Sequence, residues 1–233
     1  MELKNKKILI TGGSTGIGKA IAQSFIQKRA SVIVFGLHKP DYKCEFYKVD
    51  VSKEEEIKNA IQKIKRVDIV VNNSGIAKVY DTKDTTTEIL NETIDINFKG
   101  MFWLCKYVSP KLNNNGCVIN ISSIAGIKSF SGYAAYCASK SAVISFTQTL
   151  ALELSDKRIR ANVIAPGVID TPIFLKMFHS EKEARKQLKS FVDYIPLKKP
   201  GKPKDIAHAA IFLAENEFVN GTVLIIDGGE LLI

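Results

Sequence analysis

Tyr136 and Lys140 stand four residues apart in Tyr136-Cys137-Ala138-Ser139-Lys140, a spacing that puts a phenol and an ammonium on one face of a helix. A free phenol, with a pKa near ~10, transfers protons poorly at neutral pH. A neighbouring ammonium favours the phenolate, so the pair is expected to have a lowered phenol pKa, as a general acid/base requires. The same spacing also describes an ordinary amphipathic helix carrying an aromatic and a lysine. Taken alone, the pair therefore does not establish chemistry.

A second candidate lies near the N-terminus, where Thr11-Gly12-Gly13-Ser14-Thr15-Gly16-Ile17-Gly18 separates an apolar run from an amphipathic one. Glycines allow positive φ and a close backbone approach to a ligand. A helix starting at Ile17 would aim free N–H groups and its positive dipole end at a pyrophosphate. The glycine spacing, Gly12, Gly16 and Gly18, differs from G-x-G-x-x-G.

These groups need a scaffold, and the hydrophobic pattern predicts one. Lys7–Thr11, Ser31–Phe35, Glu45–Val49, Val67–Val71, Cys117–Ser122, Arg160–Ala165 and Thr222–Ile226 read as strands, several apolar at successive positions as strands covered on both faces are. Ile17–Lys28, Lys53–Lys65, Thr87–Leu112, Tyr133–Leu154 and Lys204–Ala214 read as helices, with Ser52 and Glu55 set as a capping box before the second. Strand–helix alternation along the chain predicts an α/β fold: one Rossmann-like, doubly wound parallel sheet flanked by helices on both faces. Residues 1–233 are expected to form a single domain. The stretch from Gly36 to Cys44 is too short for a crossover helix and is expected to be an irregular loop. Thr171–Gly201, with Pro172, Pro196 and Pro200, is read as a mobile substrate lid beyond the sixth strand.

Composition narrows the function. Thirty-three Lys+Arg against 24 Asp+Glu give a net charge of +9, but the lysines are dispersed, so no nucleic-acid partner is expected. No apolar run approaches the ~18 residues of a membrane span, and Ile8-Leu9-Ile10 is too short for a signal-peptide core, so a cytoplasmic protein without a membrane partner is expected. Cys44, Cys105, Cys117 and Cys137 form no CxxC pair and His38, His179 and His208 have no ligand-like spacing, so no metal site is expected. Cys137 reads as a small buried thiol, and His179 and His208 as surface or packing residues.

In order along the chain, T-G-x-x-x-G-x-G, Asn72-Asn73-Ser74-Gly75, Asn97-Phe98-Lys99-Gly100, Ile121-Ser122-Ser123, Tyr136-x-x-x-Lys140, Pro166-Gly167 and Asp227-Gly228-Gly229 resemble the short-chain dehydrogenase/reductase family. Ser74 departs from the family's alanine. The resemblance implies a catalytic set of Asn97, Ser123, Tyr136 and Lys140. In it Tyr136 is the general acid/base and Lys140 also binds the nicotinamide ribose. Ser123, thirteen residues before the tyrosine, holds the substrate oxygen. The Asn97 backbone carbonyl binds a relay water, while Asn97 and Ser122 also read as a helix-bend residue and a strand-closing residue. The implied coenzyme contacts are Gly12, Ser14, Thr15, Gly16, Ile17, Gly18, Gly36, Leu37, His38, Asp50, Val51, Asn73, Tyr136, Lys140, Pro166, Gly167, Ile169 and Thr171. Of these, Asp50 and Val51 match adenine contacts, and Asn73 and Ile169 match positions near the adenosine ribose and the carboxamide.

The implied activity is NAD(P)-dependent hydride transfer between a secondary alcohol and a ketone, or a sugar hemiacetal and its lactone. The acid that grips the NAD 2′-hydroxyl is absent from Phe35-Gly36-Leu37-His38-Lys39, and the basic residue common in NADP users is absent at Thr15 and Leu37. NAD and NADP both stay open. So do a 3-oxoacyl carrier-protein reductase, a sugar 1-dehydrogenase and a non-enzymatic nicotinamide redox-sensing scaffold. Phe174, Met177, Phe178, Phe191 and Tyr194 offer an apolar cover for a small alcohol or carbonyl substrate. The family is usually a homo-oligomer, a tetramer or dimer, so Thr87–Leu112 and Tyr133–Leu154 are expected to form an interface and Leu231-Leu232-Ile233 to pack in a subunit contact.

Overall fold

In Lys7–Thr11 (β1), Ile8 and Ile10 face one way and Leu9 the other, and all three are fully buried. Only a strand sandwiched between two layers permits this. The computed structural model describes residues 1–175 and 180–233. Among them, β1 is joined by Ser31–Gly36 (β2), Glu45–Lys48 (β3), Val67–Asn72 (β4), Leu112–Ile121 (β5), Arg160–Pro166 (β6) and Val223–Ile226 (β7). They form one parallel sheet in the order β3-β2-β1-β4-β5-β6-β7. The helices are Gly16–Gln27 (α1), Glu54–Gln62 (α2), Thr87–Ile94 (α3), Gly100–Val108 (α4), Ala134–Glu153 (α5), Pro172–Leu175 (α6), Glu181–Tyr194 (α7) and Pro203–Glu215 (α8).

The helices take opposite faces of the sheet. Ile21 and Phe25 of α1 and Ile206 and Leu213 of α8 pack on Ile8, Ile10, Ile69 and Val71. Ile57 of α2, Leu104 and Val108 of α4 and Val143 of α5 pack on Leu9, Ile33, Val70 and Val118. Each such side chain contributes roughly 1.5–3 kcal/mol through burial. The doubly wound parallel sheet anticipated from the sequence is present, and the loop after β2 contains no helix.

Several boundaries differ from expectation. The stretch Thr87–Leu112 is not one helix. A π-turn over Asp95–Lys99 separates α3 from α4, and a short turn over Ser109–Lys111 leads into β5. Gly100 explains the packing there, because a Cβ on it would lie 2.4 Å from the Val51 carbonyl oxygen. The strand read from Cys117 begins at Leu112, and its register shifts between Val67 and Ile69 of β4. The polar residues Asn113-Asn114-Asn115 occupy that irregular part, which hides the strand from a hydrophobicity pattern. The Ser52–Glu55 capping box does not form. Lys53 is the N-cap, without a side-chain cap, and the Ser52 hydroxyl donates to Asp50 Oδ1 at 2.7 Å instead. The serine is closer to an acceptor behind it than to the helix ahead.

Candidate active site

The chain leaves β1 toward β2 on one side and β4 toward β5 on the other. This reversal opens a crevice beyond the strand carboxyl ends, the place where α/β sheets bind ligands. A cavity of about 460 Å³ occupies it, within the range of small-molecule sites.

The glycine-rich turn forms its floor. Gly12 and Gly16 have φ of 67° and 54°, the left-handed region where a side chain is strained. A Cβ on Gly18 would lie 2.3 Å from the Gly12 carbonyl oxygen and 2.4 Å from Asn73 Nδ2, so glycine lets α1 start directly against the turn. Lys19 N is the amide that bonds back to Thr15 O, at 3.1 Å, which leaves the amides of Gly16, Ile17 and Gly18 without an intrahelical acceptor. Thr15, the N-cap, makes no side-chain cap bond. Free amides and a positive helix end are the donor set a pyrophosphate requires. The residues present fit a dinucleotide.

The turn is fastened to the end of β4. Thr11 Oγ1 accepts from the amides of Asn73 and Ser74, both at 3.0 Å, and Asn73 Nδ2 donates to the carbonyl oxygens of Thr11 and Gly12, each at 3.1 Å. Asn73 therefore holds the protein wall while bordering the cavity.

At the other end lie Ser123, Tyr136 and Lys140. Lys140 is 5% exposed, its Nζ donates to Ile121 O at 3.1 Å and lies 5.7 Å from the Tyr136 ring centroid. Burial pulls the Lys140 ammonium down to about 8. Burial also pushes the Tyr136 phenol up to about 12, against the hydrogen bond with Ser123, which lowers it. This corrects the expectation of a phenol acidified by its lysine. Desolvation of the phenol, not the lysine four residues away, sets the direction of its shift. The Ser123 hydroxyl points to Pro166 O at 3.4 Å and accepts from the Ala125 amide at 3.1 Å. Ser122 has the structural part, donating to Lys140 O at 2.8 Å and so pinning α5 to the sheet.

Of the anticipated positions, all but Gly18 and Asn97 border the cavity. Gly18 acts by its missing side chain. Asn97 is fully buried, and its side chain bonds to Ile76 N (2.8 Å), Ile76 O (2.9 Å) and Ser139 Oγ (3.1 Å). Gly36, Leu37, His38, Asp50 and Val51 line the far end, where Asp50 Oδ1 is occupied by Ser52. Phe174 and Phe191 reach the cavity and meet edge to face at 5.9 Å. Tyr194 does not belong to the cover: it is 69% exposed, because Ile195 takes the buried place at the end of α7. Met177, Phe178 and His179 lie outside the described residues. His208 is exposed, and Cys137 is buried with a free thiol.

Sequence reasoning missed Phe130, Tyr133, Ser74–Ala77 and Glu230, all on the cavity wall. Phe130, Tyr133 and Tyr136 follow a three-residue spacing and form a chain of edge-on rings with centroids 6.4 and 6.2 Å apart, so the spacing was a usable signal. Nothing local marks Glu230, which reaches the site only because β7 lies beside β6.

A parallel sheet with this turn and this tyrosine–lysine–serine corner defines a dinucleotide-dependent oxidoreductase of the Rossmann type. Comparison with known proteins agrees. A family model described as enoyl-(acyl carrier protein) reductase matches residues 12–230. The chain is 35% identical to a 3-oxoacyl-[acyl-carrier-protein] reductase of Thermotoga maritima and 36% identical to one of Rickettsia conorii, in each case over all of both chains. Its structure is similar to ligand-free aldohexose dehydrogenase of Thermoplasma acidophilum, with a TM-score of 0.94, 30% identity and coverage of 99% and 96%. It is also similar to an ElxO variant with NADPH bound, with a TM-score of 0.88, 32% identity and coverage of 98% and 100%. The chain belongs to the short-chain dehydrogenase/reductase family and is an NAD(P)-dependent oxidoreductase.

Proposed function

We propose that the protein interconverts a secondary alcohol and its ketone, with Tyr136 as the general acid/base. The observation that carries this reading is the Ser123 hydroxyl beside the Tyr136 phenol at the wall of the cavity. When bound, the nicotinamide gives or takes the hydride. Ser123 holds the substrate oxygen, and the Tyr136 phenol hands its proton to the alkoxide as it develops. Lys140, in reach of the phenol's ring, steadies the phenolate left behind, and Asn97 positions the wall through Ile76 and Ser139.

The glycine turn with Ser14, Thr15 and Ile17 takes the pyrophosphate. Gly36, Leu37, His38, Asp50, Val51 and Asn73 take the adenosine end, and Pro166, Gly167, Ile169 and Thr171 flank the nicotinamide end. Residues 171–201 act as a lid on one domain spanning residues 1–233. As substrate, a 3-oxoacyl thioester is supported by the Thermotoga and Rickettsia relatives and by the apolar rings of Phe130, Tyr133, Phe174 and Phe191. Oxidation of an aldose is the second reading, favoured by the Glu230 carboxylate on the same wall and by the aldohexose dehydrogenase neighbour.

The protein works in the cytoplasm as a homo-oligomer. Phe102 of α4, 42% exposed beside Phe146 of α5, and Leu232 and Ile233, 87% and 62% exposed, are the surfaces available for self-association. Among the described residues no helix is long and apolar enough to cross a membrane.

Tyr136→Phe tests the central assignment. Hydride transfer should fall by at least 10³-fold while coenzyme binding, followed by quenching of protein fluorescence, persists. Retained turnover would remove Tyr136 from the proton-transfer role.

A further inference from the structure

Beside Ser123, Tyr136 and Lys140, the cavity wall contains a carboxylate, Glu230, for which the proton transfer has no use. Glu230 follows Asp227-Gly228-Gly229, where φ of 67° and 89° at the two glycines turns the chain back from the end of β7. The Asp227 carboxylate winds this turn, accepting from Gly229 N at 2.8 Å and Leu231 N at 2.9 Å. The turn carries the Glu230 side chain to the end of β6, where Oε2 accepts from Val168 N at 3.2 Å. A Cβ on Gly167 would lie 2.7 Å from that oxygen, so the missing side chain makes room for the carboxylate. Gly167 follows Pro166, whose carbonyl oxygen is the acceptor facing Ser123 Oγ. The carboxylate and the serine of the proposed catalytic corner therefore bond to the same Pro166–Val168 segment.

Of the cavity wall's two carboxylates, Asp50 stands at the far end with Oδ1 bound by Ser52, and Glu230 stands here. No described residue donates to Glu230 Oε1, and Glu230 borders the cavity. Burial and nearby Asp227 raise the Glu230 pKa, while the Val168 amide and Lys128 lower it. A cavity-lining carboxylate with one oxygen anchored and the other without a donor is an acceptor for a substrate hydrogen-bond donor. It also repels an anionic group at that place.

We propose that Glu230 is a substrate-positioning residue: Oε1 accepts a hydroxyl on the carbon next to the one being oxidised or reduced, and so selects neutral polyhydroxy substrates. This rests on the reading of the cavity as an alcohol/ketone site and favours its second substrate, an aldose, over the 3-oxoacyl thioester.

Two probes that differ by a single hydroxyl, trans-cyclohexane-1,2-diol and cyclohexanol, test it with NAD and NADP. The wild-type kcat/KM should favour the diol by tenfold or more. In Glu230→Ala that ratio should fall about tenfold, mainly through KM for the diol. A purely structural role for Glu230 would lower both probes together and leave the ratio standing, which overturns the proposal. Calorimetry on coenzyme-loaded Tyr136→Phe protein separates this from the chemistry. Tighter binding of the diol than of cyclohexanol, lost on adding Glu230→Ala, supports the proposal even if the wild-type protein turns over neither alcohol, a failure that would instead count against the proposed function. Equal affinity for the two alcohols overturns it.

Discussion

The side-chain amide of Asn97 satisfies both peptide groups of Ile76, with Oδ1 2.8 Å from Ile76 N and Nδ2 2.9 Å from Ile76 O. Asn97 lies in the π-turn between α3 and α4, and Ile76 lies on the cavity wall after β4. Nδ2 also donates to Ser139 Oγ, which donates to Tyr136 O at 2.7 Å, so one buried amide ties the wall to the helix carrying the tyrosine. Interruptions of this kind inside helices are often found at functional sites.

Asn97→Ala removes three hydrogen bonds and strands the Ile76 peptide groups. The expected loss of stability is about 2–4 kcal/mol, since each unsatisfied buried group costs ~1–3 kcal/mol. Urea unfolding measures it. Asn97→Asp should do no better, because its second oxygen would face the Ile76 carbonyl. An unchanged midpoint in both variants would show that the link is not structural.

Lys140 makes stability depend on pH. Its folded pKa of about 8 lies below the ordinary lysine value of 10.5, so between those values the unfolded chain binds more protons and stability rises with pH. Below pH 8 both states are protonated and the full penalty applies, roughly 3 kcal/mol at ~1.4 kcal/mol per unit. Lys140→Met should therefore be more stable than the wild type at pH 7, with the gap narrowing by pH 10, while turnover is lost. Melting temperatures measured from pH 7 to 10 follow the convergence, and a gap that widens with pH would contradict it.

Gly18→Ala places a methyl group 2.3 Å from the Gly12 carbonyl oxygen, which backbone cannot easily yield. The start of α1 must move off the turn, taking its free amides with it. Coenzyme affinity should fall by at least tenfold, and stability by about 1–3 kcal/mol from overpacking. Equilibrium titration with NADH and NADPH reads the first effect and thermal unfolding the second.

Arg160, 6% exposed, donates to the carbonyl oxygens of Leu213 (2.7 Å), Ala214 (3.0 Å) and Val219 (3.1 Å). A guanidinium at the carboxyl end of α8 meets both its unsatisfied carbonyls and its negative dipole end. Arg160→Ala should cost about 3 kcal/mol or more by leaving these acceptors buried and unpaired. Calorimetric unfolding checks this, and Arg160→Lys should recover only part, having one point of contact where the fork has two.

Periodicity and local chemistry reach a definite depth in this protein. The strands, the glycine-rich turn and the order of the motifs are carried by adjacent residues, because a doubly covered strand must be apolar at successive positions and a tight turn must contain glycine. The tyrosine–lysine spacing likewise follows from helix geometry alone. Tertiary structure decided what depends on partners distant in the chain. It broke the expected long helix at Asn97 to meet Ile76, assigned Ser52 to Asp50 rather than to a helix end, and turned Tyr194 outward. It also reversed the expected direction of the Tyr136 pKa, since desolvation depends on what packs around the phenol and not on the lysine four residues away. Glu230 became part of the site only when β7 paired with β6. Spacing places groups along one element, whereas burial, charge and hydrogen-bond choice are settled by the elements that close over them.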